Sequence, residues 1–65
     1  MQIILNGEAI TTNKTTLASL LIEQGYEGMV VATALNQLFV AKDHRDRTLL
    51  EDDCEIEIVA PMQGG

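Results

Sequence analysis

The last two residues of the sequence, Gly64 and Gly65, are the pair whose type and position most favour chemistry. A Gly-Gly end arises by chance in well under about 1% of chains, since glycine makes up about 7% of residues. Because glycine has no Cβ, an extended tail that ends in two glycines fits a narrow channel. The carboxylate of Gly65 then becomes reactive once it is activated, for example as an acyl adenylate. The alternative interpretation is a frayed end without a chemical role.

The other reactive side chains favour structure over catalysis. Cys54 alternates with Ile56 and Ile58, as a core residue of a strand would, and no base is expected beside it. His44 lies in a polar, mixed-charge run and is interpreted as a solvent-exposed loop residue. One cysteine excludes an internal disulfide and a multi-thiolate zinc site, so we expect no bound metal and a reducing compartment, the cytoplasm.

The charge distribution argues against several classes of partner. The 65 residues carry ten acids and four bases, a net charge of -6, which disfavours binding to nucleic acid. Five of the acids fall between residues 51 and 57, but they lack the spacing of a calcium loop and are interpreted as a solvated face. No apolar run approaches the length needed to cross a bilayer, and no signal peptide is recognisable.

The first half of the chain predicts a hairpin followed by a helix. Residues 1–6 and 8–12 favour strands, and the Asn6-Gly7 dipeptide between them favours a type I′ turn. Leu17, Leu20 and Leu21 have the spacing of one apolar helix stripe. Thr15 or Thr16 is the expected N-cap, and Gly25 is the expected end.

The second half predicts further strands. Residues 29–35 are expected to form a central strand buried on both faces, with a tight turn at Asn36-Gln37 and a partner strand at 38–41. A loop or single helical turn at 42–47 follows, and Leu49 and Leu50 are expected to anchor its end in the core. After a turn at 51–53, residues 54–59 alternate, with Glu55 and Glu57 outward.

This order of elements predicts an α+β domain of the β-grasp, or ubiquitin-like, type. A mixed sheet of four to five strands would carry one main helix across one face, with the first and last strands together at its centre. We expect this domain to span residues 1–60 and a flexible C-terminal tail to span residues 61–65.

Four segments together resemble the ThiS family, the ubiquitin-like sulfur carriers of thiamine biosynthesis. They are MQIILNGE at 1–8, TLASLL at 16–21, VATALN at 31–36 and the terminal Gly64-Gly65. The resemblance covers the whole chain and implies a carrier rather than an enzyme. It implies that Gly65 is the residue that is adenylated and converted to a thiocarboxylate, whereas Gly64, Gln63 and Met62 serve recognition of the tail.

The resemblance also implies partners. A ThiF-type enzyme would adenylate the carboxylate with ATP, a sulfur-donor system would supply the sulfur, and thiazole synthase would receive it, with no cofactor bound to the carrier itself. In relatives, an apolar patch on the exposed sheet face docks the activating enzyme. We therefore expect docking to involve Glu55, Glu57 and Val59, with the acids attracting a basic partner.

Three departures from the family pattern leave alternatives open. Asp52-Asp53-Cys54 replaces the usual Asp-Gly-Asp, Ala41 replaces a common proline, and no aromatic residue lies near Arg45. The alternatives are a sulfur carrier of another pathway, of the molybdopterin type, and a ubiquitin-like protein modifier joined to lysines through Gly65. A β-grasp interaction domain with an inert tail is the least specific possibility.

Overall fold

The computed structural model describes residues 1–61, which form a mixed five-stranded sheet packed against an α-helix. The elements are β1 (Gln2–Leu5), β2 (Glu8–Thr11), α1 (Leu17–Glu23), β3 (Ala32–Leu35), β4 (Leu38–Val40), a 3₁₀ helix (Lys42–Arg47) and β5 (Glu55–Val59). The strand order is β2-β1-β5-β3-β4, with β1 and β5 parallel and the other neighbours antiparallel. The first and last strands therefore lie side by side, as the predicted β-grasp requires.

Both hairpins turn through asparagine in the left-handed region. Asn6 and Gly7 have φ of 50° and 84°, and Asn36 and Gln37 have φ of 49° and 71°. Two successive positive φ angles match the twist of the flanking strands, which is why two-residue hairpin loops favour them. The turns predicted at both dipeptides are confirmed.

Helix α1 begins and ends where its capping residues predict. The Thr16 hydroxyl accepts a hydrogen bond from the Ser19 N–H, and the Ser19 hydroxyl accepts one from the Thr16 N–H, which completes a capping box. Gln24 is the C-cap, and Gly25 follows with φ of 89°. A helix of seven residues is too short to be stable alone, so its stability comes from packing on the sheet.

The core lies between α1 and one face of the sheet. Its buried apolar side chains are Ile3, Leu17, Leu20, Leu21, Leu50, Cys54, Ile56 and Ile58. The leucine stripe predicted for the helix is therefore confirmed, as is the inward direction of Cys54, Ile56 and Ile58. The turn before β5 is also confirmed, because Asp53 holds φ of 65° where the family pattern has glycine.

The prediction for residues 29–35 was partly wrong. The strand β3 starts at Ala32, after Gly28 has turned the chain with φ of 80°, and Met29 and Val30 are 48% and 80% exposed. Nor is β3 buried on both faces, because only one face of the sheet is covered by α1. A run of apolar residues does not by itself distinguish a buried strand from an exposed apolar loop.

The predicted anchor at Leu49 and Leu50 was half correct. Leu50 is buried, but Leu49 is 65% exposed. Leu49 forms an isolated antiparallel bridge with Thr16, so this stretch is extended, and successive side chains of an extended segment point in opposite directions. Only one of two adjacent leucines can then enter the core.

Candidate functional site

The alternation along β5 places three predicted site residues on the face of the sheet opposite α1. Ile56 and Ile58 are buried, whereas Glu55, Glu57 and Val59 are exposed. The strand ends at Val59, and Ala60 and Pro61 continue outside the sheet. The last strand therefore carries the exposed acids and leads into the predicted tail.

Strand pairing surrounds these residues with small and apolar side chains. Ala34 pairs with both Phe39 and Glu57, so these three side chains form one row across β4, β3 and β5. Val59 lies beside Ala32 in the next row. We call this surface the open face; its members are Ile4, Ala9, Ala32, Ala34, Phe39, Glu55, Glu57 and Val59.

The open face combines apolar contact area with unpaired negative charge. Phe39 is 73% exposed and Val59 is 62% exposed. Within residues 1–61, no basic side chain lies within ion-pair distance of Glu55 or Glu57; the ion pair in this range is the solvent-exposed one between Arg47 and Asp46. Exposed apolar patches that are bordered by charge are typical of protein interaction sites.

A cleft of about 620 Å³ adjoins the open face at the C-terminal end of α1. The apolar side chains of Ile22, Tyr26, Met29, Val30 and Val31 form much of its wall. Phe39 and Ala32 line the cleft and also belong to the open face, so the two surfaces are continuous. The apolar residues that were predicted as strand thus contribute to an exposed concave surface.

The asparagines of the two hairpin turns hold β5 at opposite ends. The Asn36 side-chain Oδ1 accepts a hydrogen bond of 2.9 Å from the N–H of Glu55, at the start of the strand. The Asn6 Oδ1 accepts one of 2.9 Å from the N–H of Ile58, and the Asn6 Nδ2 donates one of 3.3 Å to the Ile58 carbonyl. These contacts fix the strand that presents the acids and the tail.

Arg45 links the 3₁₀ helix to the beginning of β3. Its Nε donates to the Thr33 hydroxyl at 3.0 Å and a terminal nitrogen donates to the Val31 carbonyl at 2.6 Å. The Thr33 hydroxyl, which is almost fully buried, in turn donates to the Val40 carbonyl. The segment at 42–47, predicted as a loop or a single helical turn, is a 3₁₀ helix, and its Arg45 bonds a buried hydroxyl and holds the beginning of β3.

The remaining reactive side chains lie away from the open face. Cys54 is a free thiol that is buried in the core, and His44 is exposed on the 3₁₀ helix. In the part of the chain that the structure describes, no three histidine, cysteine or acidic side chains are grouped closely enough to hold a metal ion. Nor does any helix in that part have the length and apolar character needed to cross a membrane.

The structure brings Glu55, Glu57 and Val59 together on the open face. The other predicted site residues, Met62, Gln63, Gly64 and Gly65, lie outside the described residues. Sequence reasoning missed Phe39 as a member of the open face. It sits one residue from the inward-facing Val40 in a short strand, so the period of two could have identified it.

Comparisons with known proteins agree with this architecture. The sequence model of the ThiS family matches residues 3–65. The crystal structure of the thiamine biosynthesis protein ThiS from Geobacter metallireducens superimposes with a TM-score of 0.82, covers 100% of both chains and is 23% identical in sequence. That likeness supports the fold alone. A search of curated proteins finds no match. Since the family model spans nearly the whole chain, this protein belongs to the ThiS family of small sulfur carriers.

Proposed function

We propose that this protein carries sulfur for the synthesis of the thiazole ring of thiamine. The observation that carries the proposal is the family match, which runs from residue 3 to the terminal Gly65 and so includes both the sheet and the glycine pair. Proteins of this family are carriers that are not themselves catalysts. The arrangement of the described residues is compatible with this role, because a single exposed surface leads along β5 to the tail.

The proposed chemistry takes place at the carboxylate of Gly65. A carboxylate oxygen attacks the α-phosphorus of ATP on a ThiF-type enzyme, and pyrophosphate leaves to give an acyl adenylate. A sulfur nucleophile at the oxidation level of sulfide then attacks the carbonyl carbon, and AMP leaves with the electron pair of the broken C–O bond. The resulting thiocarboxylate gives its sulfur to thiazole synthase, so ATP is a substrate of the partner and the carrier binds no cofactor.

In the proposed reaction, this protein needs a narrow C-terminal segment and a folded domain that binds its partners. Gly64, Gln63 and Met62 would occupy the approach to the partner's active site, where side chains larger than hydrogen at Gly64 would obstruct the channel. The open face would bind the partner through Phe39 and Val59. In this proposal the encounter takes place in the cytoplasm, with ATP and a reduced sulfur donor.

The unpaired acids of the open face support a basic partner surface. Glu55 and Glu57 lie two residues apart on the same face, so their negative potentials add over one small area. Such charges accelerate the encounter with an oppositely charged surface more than they strengthen the final complex. The acids would therefore set the association rate, and the apolar residues would set the lifetime of the complex.

Intact-mass spectrometry tests the proposed modification. The protein is incubated with ATP, a cognate activating enzyme and a sulfur source, and a gain of about 16 Da marks the replacement of one oxygen by sulfur. The chain that lacks Gly65 is the matched control, and it should show no gain. An unchanged mass of the intact chain under these conditions would contradict the proposal, and rescue of a thiamine auxotroph separates thiazole synthesis from other sulfur pathways.

A further inference from the structure

The backbone ladder between β1 and β5 ends at Asn6. The backbone of β1 pairs with β5 only through Ile4 with Glu55 and Leu5 with Ile56. The Asn6 N–H donates to the Ile56 carbonyl at 2.8 Å, and the chain then turns away through Gly7. A parallel ladder that continued in this register would bond Ile58 to the carbonyl of Asn6 and to the N–H of Glu8, but the hairpin turns this backbone away.

The side chain of Asn6 takes the place of the missing backbone. Its amide accepts from the N–H of Ile58 and donates to the carbonyl of the same residue. Among the described residues, this amide is the side-chain partner of both polar groups of Ile58. The side-chain amide has the same donor and acceptor atoms as a peptide group, so it extends the ladder by one residue after β1 has ended.

Ile58 is the last buried residue before the predicted tail. Its side chain is 5% exposed, whereas Val59, one residue later, is 62% exposed. Val59 ends β5 and pairs with Ala32, so the end of the strand is held by the Asn6 side chain on one edge and by β3 on the other. The end of β5 therefore sets the position from which the predicted tail starts.

We infer that Asn6 is a positioning residue, which fixes the base of the tail at Ile58 and thereby presents Gly65 to the activating enzyme. This inference rests on the proposed function. Without the Asn6 amide, the end of β5 would be held from the β3 edge alone, so it would open more often and the start of the tail would be less fixed. The partner would then have to order two or three further residues on binding, and that cost would weaken productive binding.

Asn36 provides a matched control within the same chain. It occupies the same position of an equivalent turn, with φ of 49° against 50° for Asn6, and it also accepts a hydrogen bond from a backbone N–H of β5. Its partner is Glu55, at the end of the strand that is remote from the tail. Asn6→Gly removes two side-chain hydrogen bonds to β5 and Asn36→Gly removes one, and glycine tolerates both φ angles.

The experiment compares the two variants at a temperature at which both are folded. We expect the Ile58 amide to exchange its hydrogen about tenfold faster in Asn6→Gly than in Asn36→Gly, because its hydrogen-bond partner has been removed. We expect the KM for the carrier in thiocarboxylate formation to rise about 3- to 10-fold in Asn6→Gly, with a change of under about twofold in Asn36→Gly and nearly constant kcat in both. Asn6→Asp retains the oxygen that accepts from Ile58 but loses the donor, so it serves if Asn6→Gly does not fold, and its KM should exceed that of Asn36→Gly.

The outcomes separate this inference from the proposed function. If the unsubstituted protein is not converted to the thiocarboxylate, the proposed function is wrong. If it is converted, and Asn6→Gly and Asn36→Gly have equal KM values, Asn6 does not position the tail. A faster exchange at Ile58 without any change in KM would also overturn the inference, since the hydrogen bond would then serve the strand alone.

Discussion

The two faces of the sheet differ in their role: one is buried against α1 and stabilises the fold, and the other is exposed. Ile56 and Ile58 of β5 are buried against α1, and Glu55, Glu57 and Val59 alternate with them on the open face. The covered face contains the apolar side chains that stabilise the fold. The open face contributes little to the core, yet it bears Phe39 at 73% exposure and two acids without ion-pair partners among residues 1–61.

This difference is compatible with the proposed function, in which a chain of 65 residues supplies a docking surface and a reactive end. A small domain has few residues to spare for the core, and the helix-covered face uses most of them. In the proposed function, the opposite face binds partners and the chemistry takes place at Gly65. Substitutions on the two faces should accordingly change different measurements.

The largest effect is expected from Ile56→Ala on the covered face. Ile56 is 1% exposed, so its truncation leaves a cavity and should lower the free energy of unfolding by about 2–5 kcal/mol. Denaturant titration followed by circular dichroism measures this loss. Glu57→Gln, one residue away on the open face, should change the free energy by less than about 0.5 kcal/mol. Equal losses in the two variants would refute the division between the faces.

A smaller effect, on binding rather than stability, is expected from Phe39→Ala. Because Phe39 is mostly exposed, the free energy of unfolding should change little. Affinity for the activating enzyme, measured by calorimetry, should fall by a factor of about ten or more, as for an aromatic residue at the centre of an interface. Leu49→Ala is the control, since Leu49 is 65% exposed but lies beside Thr16 at the helix N-terminus. If both variants bind equally well, the open face is not the docking surface.

A substitution in the second hairpin turn should raise the free energy of unfolding without changing either face of the sheet. Gln37 holds φ of 71° at the position that Gly7 occupies in the first hairpin, with φ of 84°. Gln37→Gly relieves this left-handed conformation and should raise the free energy of unfolding by about 0.5–1 kcal/mol. Gly7→Ala should lower it, because alanine is strained at that angle. Thermal unfolding of both variants provides the comparison, and a destabilised Gln37→Gly would show that the side chain matters more than the angle.

The smallest effect is expected from the acids of the open face. Glu55→Gln and Glu57→Gln should each slow association with the activating enzyme by about two- to threefold at low salt. The difference from the unsubstituted protein should shrink as salt screens the charges. Stopped-flow measurement at several salt concentrations follows both quantities, with Glu8→Gln as a control for net charge. An association rate that does not depend on salt would exclude steering by these acids.

Features with a local physical cause could be predicted from the sequence. The Asn6-Gly7 turn, the Leu17, Leu20 and Leu21 stripe and the alternation of β5 follow from short-range periodicity and turn chemistry. The central pairing of β1 with β5 followed from topology. The predicted recognition residues Met62, Gln63 and Gly64 stay predictions, because they lie outside the described residues.

Features that depend on distant neighbours could not be predicted. Leu49 and Leu50 are both leucines, so their type does not indicate which is buried. The bridge between Leu49 and Thr16 orients the segment so that Leu50 is the buried one. Arg45 belongs to a charged run, but it bonds Thr33 and Val31, which are 12 and 14 residues away in the chain. The bonds from Asn6 to Ile58 span 52 residues, so neither composition nor spacing indicates them.

The most direct measurement is fragmentation of the intact modified protein in the mass spectrometer, which locates the added sulfur. A thiocarboxylate at Gly65 should add about 16 Da to the fragments that contain Gly65 and to no others. Cys54 is the alternative acceptor: its thiolate could take the outer sulfur of a persulfide donor, which leaves as a thiol, and this transfer would add about 32 Da. Because Cys54 is only 5% exposed, we expect no gain there. A gain on fragments that contain Cys54 but not Gly65 would contradict the assignment of the chemistry to the tail.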